Sequence, residues 1–291
     1  MRPLRVSMFA TAGLGVGAVL WGIATESRVI LFDGVYMLAG IVLVAVSMIA
    51  SRAATMAPSR EYPFGRHAAR PLAVALQGSA ILGTLVYGVA DALVVIFAGG
   101  SDNAPIGLIM YGVATAVASL ILTRWLGRLA RESELARAEV VSWRASAVLS
   151  VMVAAGGVIG LVLLARHNTL ARYIDPVLLL IACALVTPMA VALIRDGVRE
   201  LLEAAPPADV QSAIDDAVEV VRLQEKLPAP AVRATKLGQR LYVEVDFLVP
   251  AGQWSVDDED RVRRAVIERL EYLDLSVWAS VDLTTQNDLI D

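Results

Sequence analysis

Residues 29–50 read VILFDGVYMLAGIVLVAVSMIA, an apolar run broken by a single charged residue, Asp33. A helix needs about 20 apolar residues to cross the hydrocarbon core of a bilayer, and this run supplies them. Composition settles that it is a span rather than the interior of a soluble domain. Hydrophobic residues make up 57% of the 291 residues and charged residues 19%, with a mean hydropathy of +0.64. Soluble domains have roughly 45–50% apolar and about 25% charged residues. The chain reads as an integral membrane protein with the lipid bilayer as its first partner.

Working outward from that run, five more stretches meet the same criterion, giving six spans near 6–25, 29–50, 72–99, 105–125, 143–165 and 173–194. The first follows Arg2 and Arg5, as a signal peptide would. It is too long for a signal-peptide apolar region and lacks a clear small-residue cleavage site, so it is expected to stay as the first span. The loops set the expected orientation. Arg52, Arg60, Arg66 and Arg70 lie on one connection, and Arg124, Arg128, Arg131, Arg137 and Arg144 lie on or beside another on the same side. The opposite side offers Glu26 and Arg28, then Asp102, then Arg166 and Arg172. Arginine-rich loops stay in the cytoplasm, which places both termini there and suggests a bacterial plasma membrane. Trp21, Tyr111, Trp125, Trp143 and Tyr173 fall near predicted helix ends, where interfacial aromatics belong. Gly13/Gly17 and Gly156/Gly160 have the small-xxx-small spacing that lets helices approach closely.

Beyond Arg195 the chain changes character. Residues 1–195 carry 15 arginines against nine acidic residues, a net +6. Residues 196–291 carry ten basic against 20 acidic residues, a net −10, and the whole chain is −4. Two domains follow, a transmembrane part over 1–200 and a small cytoplasmic part over 201–291. Such an acidic tail argues against a nucleic-acid partner. Pro206-Pro207 ends the last span. Val210, Ile214, Ala217, Val218 and Val221 then keep helical spacing. A short strand near 232–236 and an alternating one at Leu241, Val243, Val245 and Phe247 come next. Ser255 and Asp258 have capping-box spacing before a helix with Val262, Val266 and Leu270 on one face. Val277, Ala279, Val281 and Leu283 alternate again. The order α-β-β-α-β is that of a ferredoxin-like α+β domain, with one sheet face covered by helices and one open to a partner.

Ionisable groups inside a membrane mark function by default. Two stand out, Asp33 and Asp91, at comparable depth on consecutive antiparallel helices. They form either a shared cation or proton site, or an outer vestibule touching water, or carboxylates paired with Arg28 or with hydroxyls such as Tyr36 and Tyr87. His67 and His167 lie in loops and read as solvated. Cys183, the only cysteine, reads as a small buried hydrophobe. No zinc-spaced Cys/His cluster, phosphate-binding glycine loop or nucleophile–base spacing occurs, and neither an enzyme nor a bound cofactor is expected.

Several segments together resemble the cation diffusion facilitator (cation efflux) family. They are TESRVILFDGVYMLAG (25–40), YPFGRHAARPLAVALQG (62–78), AEVVSWRASAVLS (138–150), IDPVLLLIACALV (174–186) and VRATKLGQRLYVEVDFLVP (232–250). The resemblance implies a homodimeric six-helix transporter, paired through membrane and cytoplasmic domains, that exchanges a divalent metal cation for protons as an antiporter. It also implies two ligands four apart on the second helix and two on the fifth, here Asp33, Met37, Ser142 and Ser146. Only Asp33 keeps an ionisable ligand. Methionine is a soft thioether and serine a neutral hydroxyl, both poor for Zn²⁺. Arg144 lies between the two serines, either pairing with Asp33 or snorkelling to the cytoplasmic surface. In the cytoplasmic domain Asp246 and Asp282 occupy positions where the family has His and Asp, and are possible metal ligands or part of a solvated acidic face. Two functions fit. One is proton-coupled efflux of a divalent ion harder than zinc through an altered site centred on Asp33. The other is a non-transporting relative that acts as a scaffold, regulator or heterodimer partner.

Overall fold

A computed structural model of the chain describes residues 2–101, 105–129, 134–286 and 288, without the side chains of 2–7, 129, 134–139, 141, 142 and 145. Asp102 and Arg131, and the side chains of Arg2, Arg5, Arg137 and Ser142, lie outside the described residues. The six apolar stretches form helices long and apolar enough to cross a membrane. They are α1 Arg2–Thr25, α2 Arg28–Ala54, α3 Ala69–Phe97, α4 Pro105–Leu129, α5 Glu134–Ala165 and α6 Ile174–Leu201. In hydrocarbon backbone polar groups must find partners within the protein, and the helix supplies them along each span apart from the break in the ladder at Pro188 of α6. Helix α5 starts nine residues before the expected boundary at 143. Its extension is rich in Glu, Leu, Ala and Arg, strong helix formers that hydropathy alone does not count.

The chain divides into two compact units, Met1–Val46 with Gln77–Ala192, and Ser47–Leu76 with Leu193–Asp291. Within the first, glycines set how closely helices approach. A β-carbon on Gly34 would lie 2.7 Å from the Val19 nitrogen, and one on Gly22 would lie 2.6 Å from the Leu31 nitrogen, so the α1 and α2 backbones are in contact. Gly112 does the same for α4 and α5, where a β-carbon would lie 2.5 Å from the Ala154 nitrogen. Gly156 and Gly160 pack against Leu178 and Pro105 as their spacing suggests. Gly13 and Gly17 do not, since β-carbons there would meet nothing within 4 Å. Gly15, on another face of α1, makes the close approach to Met37 and Leu38 instead.

The N-terminus of α2 is held from α6. The Asp175 carboxylate, 2% exposed, accepts hydrogen bonds from Ser27 Oγ at 2.5 Å and the Arg28 backbone nitrogen at 2.8 Å. The first N–H groups of a helix have no partner within it and carry partial positive charge, so an acceptor carboxylate is doubly favoured there. Cys183 is buried among Ile30, Leu85 and Leu179, as a small hydrophobe.

The second unit contains the C-terminal domain, with α7 Ala208–Glu225, β1 Ala231–Leu237, β2 Arg240–Leu248, α8 Val256–Leu270 and β3 Ser276–Thr284. The expected order is found. Strands β1 and β2 are antiparallel, β2 and β3 parallel, and the sheet order is β1-β2-β3. Ile214, Val218 and Val221 of α7, and Val262, Val266 and Leu270 of α8, bury Leu241, Val243, Val245, Phe247 and Val281 on one face of the sheet. Ser255 and Asp258 form the capping box that their spacing suggests. Its hydrogen bonds from Ser255, together with Arg261, hold the Asp258 carboxyl down at about 2.

Two outcomes check these constraints. Replacing Asp175 with Ala strands the Ser27 and Arg28 donors in a buried site and should cost about 2–3 kcal/mol, read as a lower unfolding midpoint in detergent. In the C-terminal domain, the contribution of ionised Asp258 is present above the ordinary carboxyl value of 3.8 and is lost as pH falls through about 2. Ser255→Ala should therefore lower the midpoint at pH 7 and lose that effect in strong acid.

Candidate cation site

Asp33 lies in the second turn of α2, half-buried, with its backbone anchored by the contacts of Gly34 to α1. Its partner comes from α4. The Tyr111 hydroxyl donates to Asp33 Oδ2. Tyr111 is 7% exposed and packs in the same apolar cluster as Ile30, Leu108 and Leu179. It is therefore not an interfacial aromatic, and neither is Trp143, which is 5% exposed against Leu126 and Val140. For Trp143 the reason is the earlier start of α5 at Glu134, which places the ring nine residues inside its helix. Helix α4 starts at Pro105 as expected, and Tyr111 is buried because its ring turns into the bundle toward Asp33. Trp21 and Trp125 remain partly exposed, at 37% and 38%.

Tyr111 begins a polar stripe. Thr115 and Ser119 follow it at four-residue intervals on one face of α4 and are 3% and 0% exposed. Thr115 Oγ1 donates to the Tyr111 carbonyl at 2.8 Å, and Ser119 Oγ donates to Ser146 Oγ of α5 at 3.4 Å. Ser150, one turn beyond Ser146, donates to the Ser146 carbonyl at 2.8 Å. The stripe was readable as Tyr-xxx-Thr-xxx-Ser in an otherwise apolar helix, but its link to Asp33 was not.

The four family ligand positions are distributed as follows. Asp33 meets Tyr111. Met37 is half-buried one turn along α2, with its β-carbon facing Gly15 of α1. Ser146 meets Ser119, roughly 12 Å further along α4 than Tyr111. The Ser142 side chain lies outside the described residues. Arg144 is exposed, and the partner of Asp33 is Tyr111 in its place. Asp91 pairs with Arg28, with Nη1 to Oδ1 at 3.3 Å. Of the alternatives open for Asp91, the Arg28 pair is the one present.

In the C-terminal domain Asp246 and Asp282 are register partners on β2 and β3. Asp246 accepts from Arg233 Nη2 at 2.7 Å, and Arg233 Nε reaches Glu244 at 3.2 Å. Burial raises the Asp246 carboxyl, against the opposing pull of Arg233. Asp282 accepts from Ser280 Oγ at 3.1 Å. A guanidinium already supplies the positive charge that a cation would bring. Among the described residues no group of three or more His, Cys, Asp or Glu is arranged to hold a metal ion. His67 lies in the α2–α3 loop beside the β1–β2 turn at Gly238. Partial burial and then Arg240 push its imidazole below the usual range, which favours the neutral ring.

Comparison with known families decides the class. A model of the cation efflux transmembrane domain matches residues 4–202. The chain belongs to the cation efflux family. No curated protein matches it closely enough to count as a relative. As a member of the family it is an integral membrane protein and a cation transporter, with the family's transmembrane part followed by a small C-terminal α+β domain.

The Arg28–Asp91 pair, with 45% and 22% of the two side chains exposed, is a partly solvated ion pair. A double-mutant cycle of Arg28→Ala and Asp91→Asn should give a coupling below about 1 kcal/mol, read from unfolding midpoints in detergent.

Proposed function

We propose that this cation efflux protein exports a hard divalent cation, such as Mg²⁺ or Mn²⁺, in exchange for protons through a site centred on Asp33. The observation that carries the reading is the hydrogen bond from Tyr111 to Asp33 inside the helix bundle. It marks a carboxylate with an oxygen partner and, among the described residues, no basic partner, at a depth where an ionisable group is costly unless it is used. Hard cations prefer oxygen ligands, whereas zinc is best held by thiolate and imidazole, and the partner of Asp33 is an oxygen. Protonation and cation binding compete for one carboxylate, so each turnover exchanges one for the other. Both termini face the cytoplasm in this reading, and two copies associate through both domains.

Purified protein in liposomes, with a pH-sensitive dye inside, tests it. Addition of Mg²⁺, Mn²⁺, Ca²⁺ or Zn²⁺ in turn should drive proton movement with one of the first three, and Asp33→Asn should reduce that signal to the protein-free background. Equal signals from wild type and Asp33→Asn, or none for any ion, would overturn the reading. The second outcome would favour a non-transporting regulator or heterodimer partner, whose motivation is the replacement of ligand types at Met37, Ser142 and Ser146.

A further inference from the structure

Tyr111 lies outside the four ligand positions implied by the resemblance, on a helix that supplies none of them. Its hydroxyl proton is engaged by Asp33 Oδ2. What the pair leaves for a third atom is therefore the phenol oxygen's lone pairs and Asp33 Oδ1, all acceptors. With Asp33 ionised, as the cation-bound state of the proposed exchange requires, the pair offers only acceptors, which suits a cation and excludes an anion. The phenol adds an oxygen without adding charge. The next two polar residues on the same face of α4 extend this property. The Thr115 proton goes to the Tyr111 carbonyl and the Ser119 proton to Ser146, so these buried hydroxyls also present lone pairs.

We propose that Tyr111 is a specificity-determining ligand of the transport site, its phenol oxygen and Asp33 Oδ1 together holding a hard cation between α2 and α4. This rests on Asp33 as the centre of the site. It relocates the second donor from α5 to α4 and accounts for a site that keeps one carboxylate. Oxygen from a neutral phenol favours a hard ion, and an imidazole at the same position would favour a borderline one such as Zn²⁺.

The test uses the full chain and Mn²⁺ as probe. Free Mn²⁺ measured by electron paramagnetic resonance gives the binding difference between wild type and Asp33→Asn in detergent. That difference isolates the Asp33 site from the acidic C-terminal domain. Tyr111→Phe should weaken this component by about tenfold, the loss expected for one oxygen contact to a charged group, with cooperative unfolding retained and the midpoint lowered only by the loss of one buried hydrogen bond. In liposomes the same variant should raise KM for Mn²⁺ with kcat within about twofold, since the contact is made in binding. Tyr111→His should shift the Zn²⁺/Mn²⁺ preference toward Zn²⁺, and Tyr87→Phe, on an exposed face of α3, should change nothing. An Asp33-dependent component that Tyr111→Phe leaves intact, or the lack of any such component, would overturn the proposal. Mn²⁺ binding that depends on both residues without flux would overturn the transport reading and leave Tyr111 as a ligand.

Discussion

The buried carboxylate of Asp175 at the start of α2 is the contact on which the placement of Asp33 depends. It joins α6 to the N-terminus of α2 through Ser27 and Arg28, in a setting too dry for water to substitute. With that end held, the backbone contacts of Gly22 and Gly34 with the neighbouring helix fix the rotation of α2. Asp33 follows Arg28 by five residues, so little freedom remains in where its side chain points. A carboxylate tied to a helix end by several donors serves the fold. Asp33, whose donor among the described residues is the neutral Tyr111 hydroxyl, is the carboxylate to which the proposed function assigns the chemistry.

That contrast separates the acidic groups of the chain more sharply than depth alone. Asp175 is committed to a helix terminus, Asp91 to Arg28, and Asp246 to Arg233. Each partner supplies a positive or partly positive charge, which lowers what a cation would gain by binding. Tyr111 supplies none. A neutral partner orients the Asp33 carboxylate without neutralising it. In the proposed function this is the carboxylate that a cation or proton would reach without displacing a positive partner.

The C-terminal domain follows the opposite rule. It is strongly acidic, yet the ionic groups around β1 and β2 are paired internally. Arg233 spans Glu244 and Asp246, and Lys236 pairs with Glu200 at 2.7 Å. The sheet face left uncovered by α7 and α8 carries the edge-to-face pair of Tyr242 and Trp278, with Trp278 47% exposed. This surface is mixed and satisfied rather than purely acidic.

The sequence by itself determined the six spans, the α-β-β-α-β order, the capping box and the family. These depend on hydropathy over about 20 residues, on residue periodicity and on local hydrogen bonds, all of which lie close together along the chain. It also singled out Asp33, because a lone charge in an apolar run is visible in one dimension. The partner of that charge was not visible there. Tyr111 is 78 residues away on another helix, and an aromatic near a helix end reads as interfacial until the face it presents to its neighbours is known. For the same reason the spacing of Gly13 and Gly17 suggested a packing face that α1 does not use toward its neighbours, while Gly15 and Gly22 make the contacts. Which helix faces which, and by what rotation, is set by many weak packing contacts at once. Only the tertiary structure decided that Asp33 meets a phenol, while Asp91 meets a guanidinium and Asp175 a helix terminus.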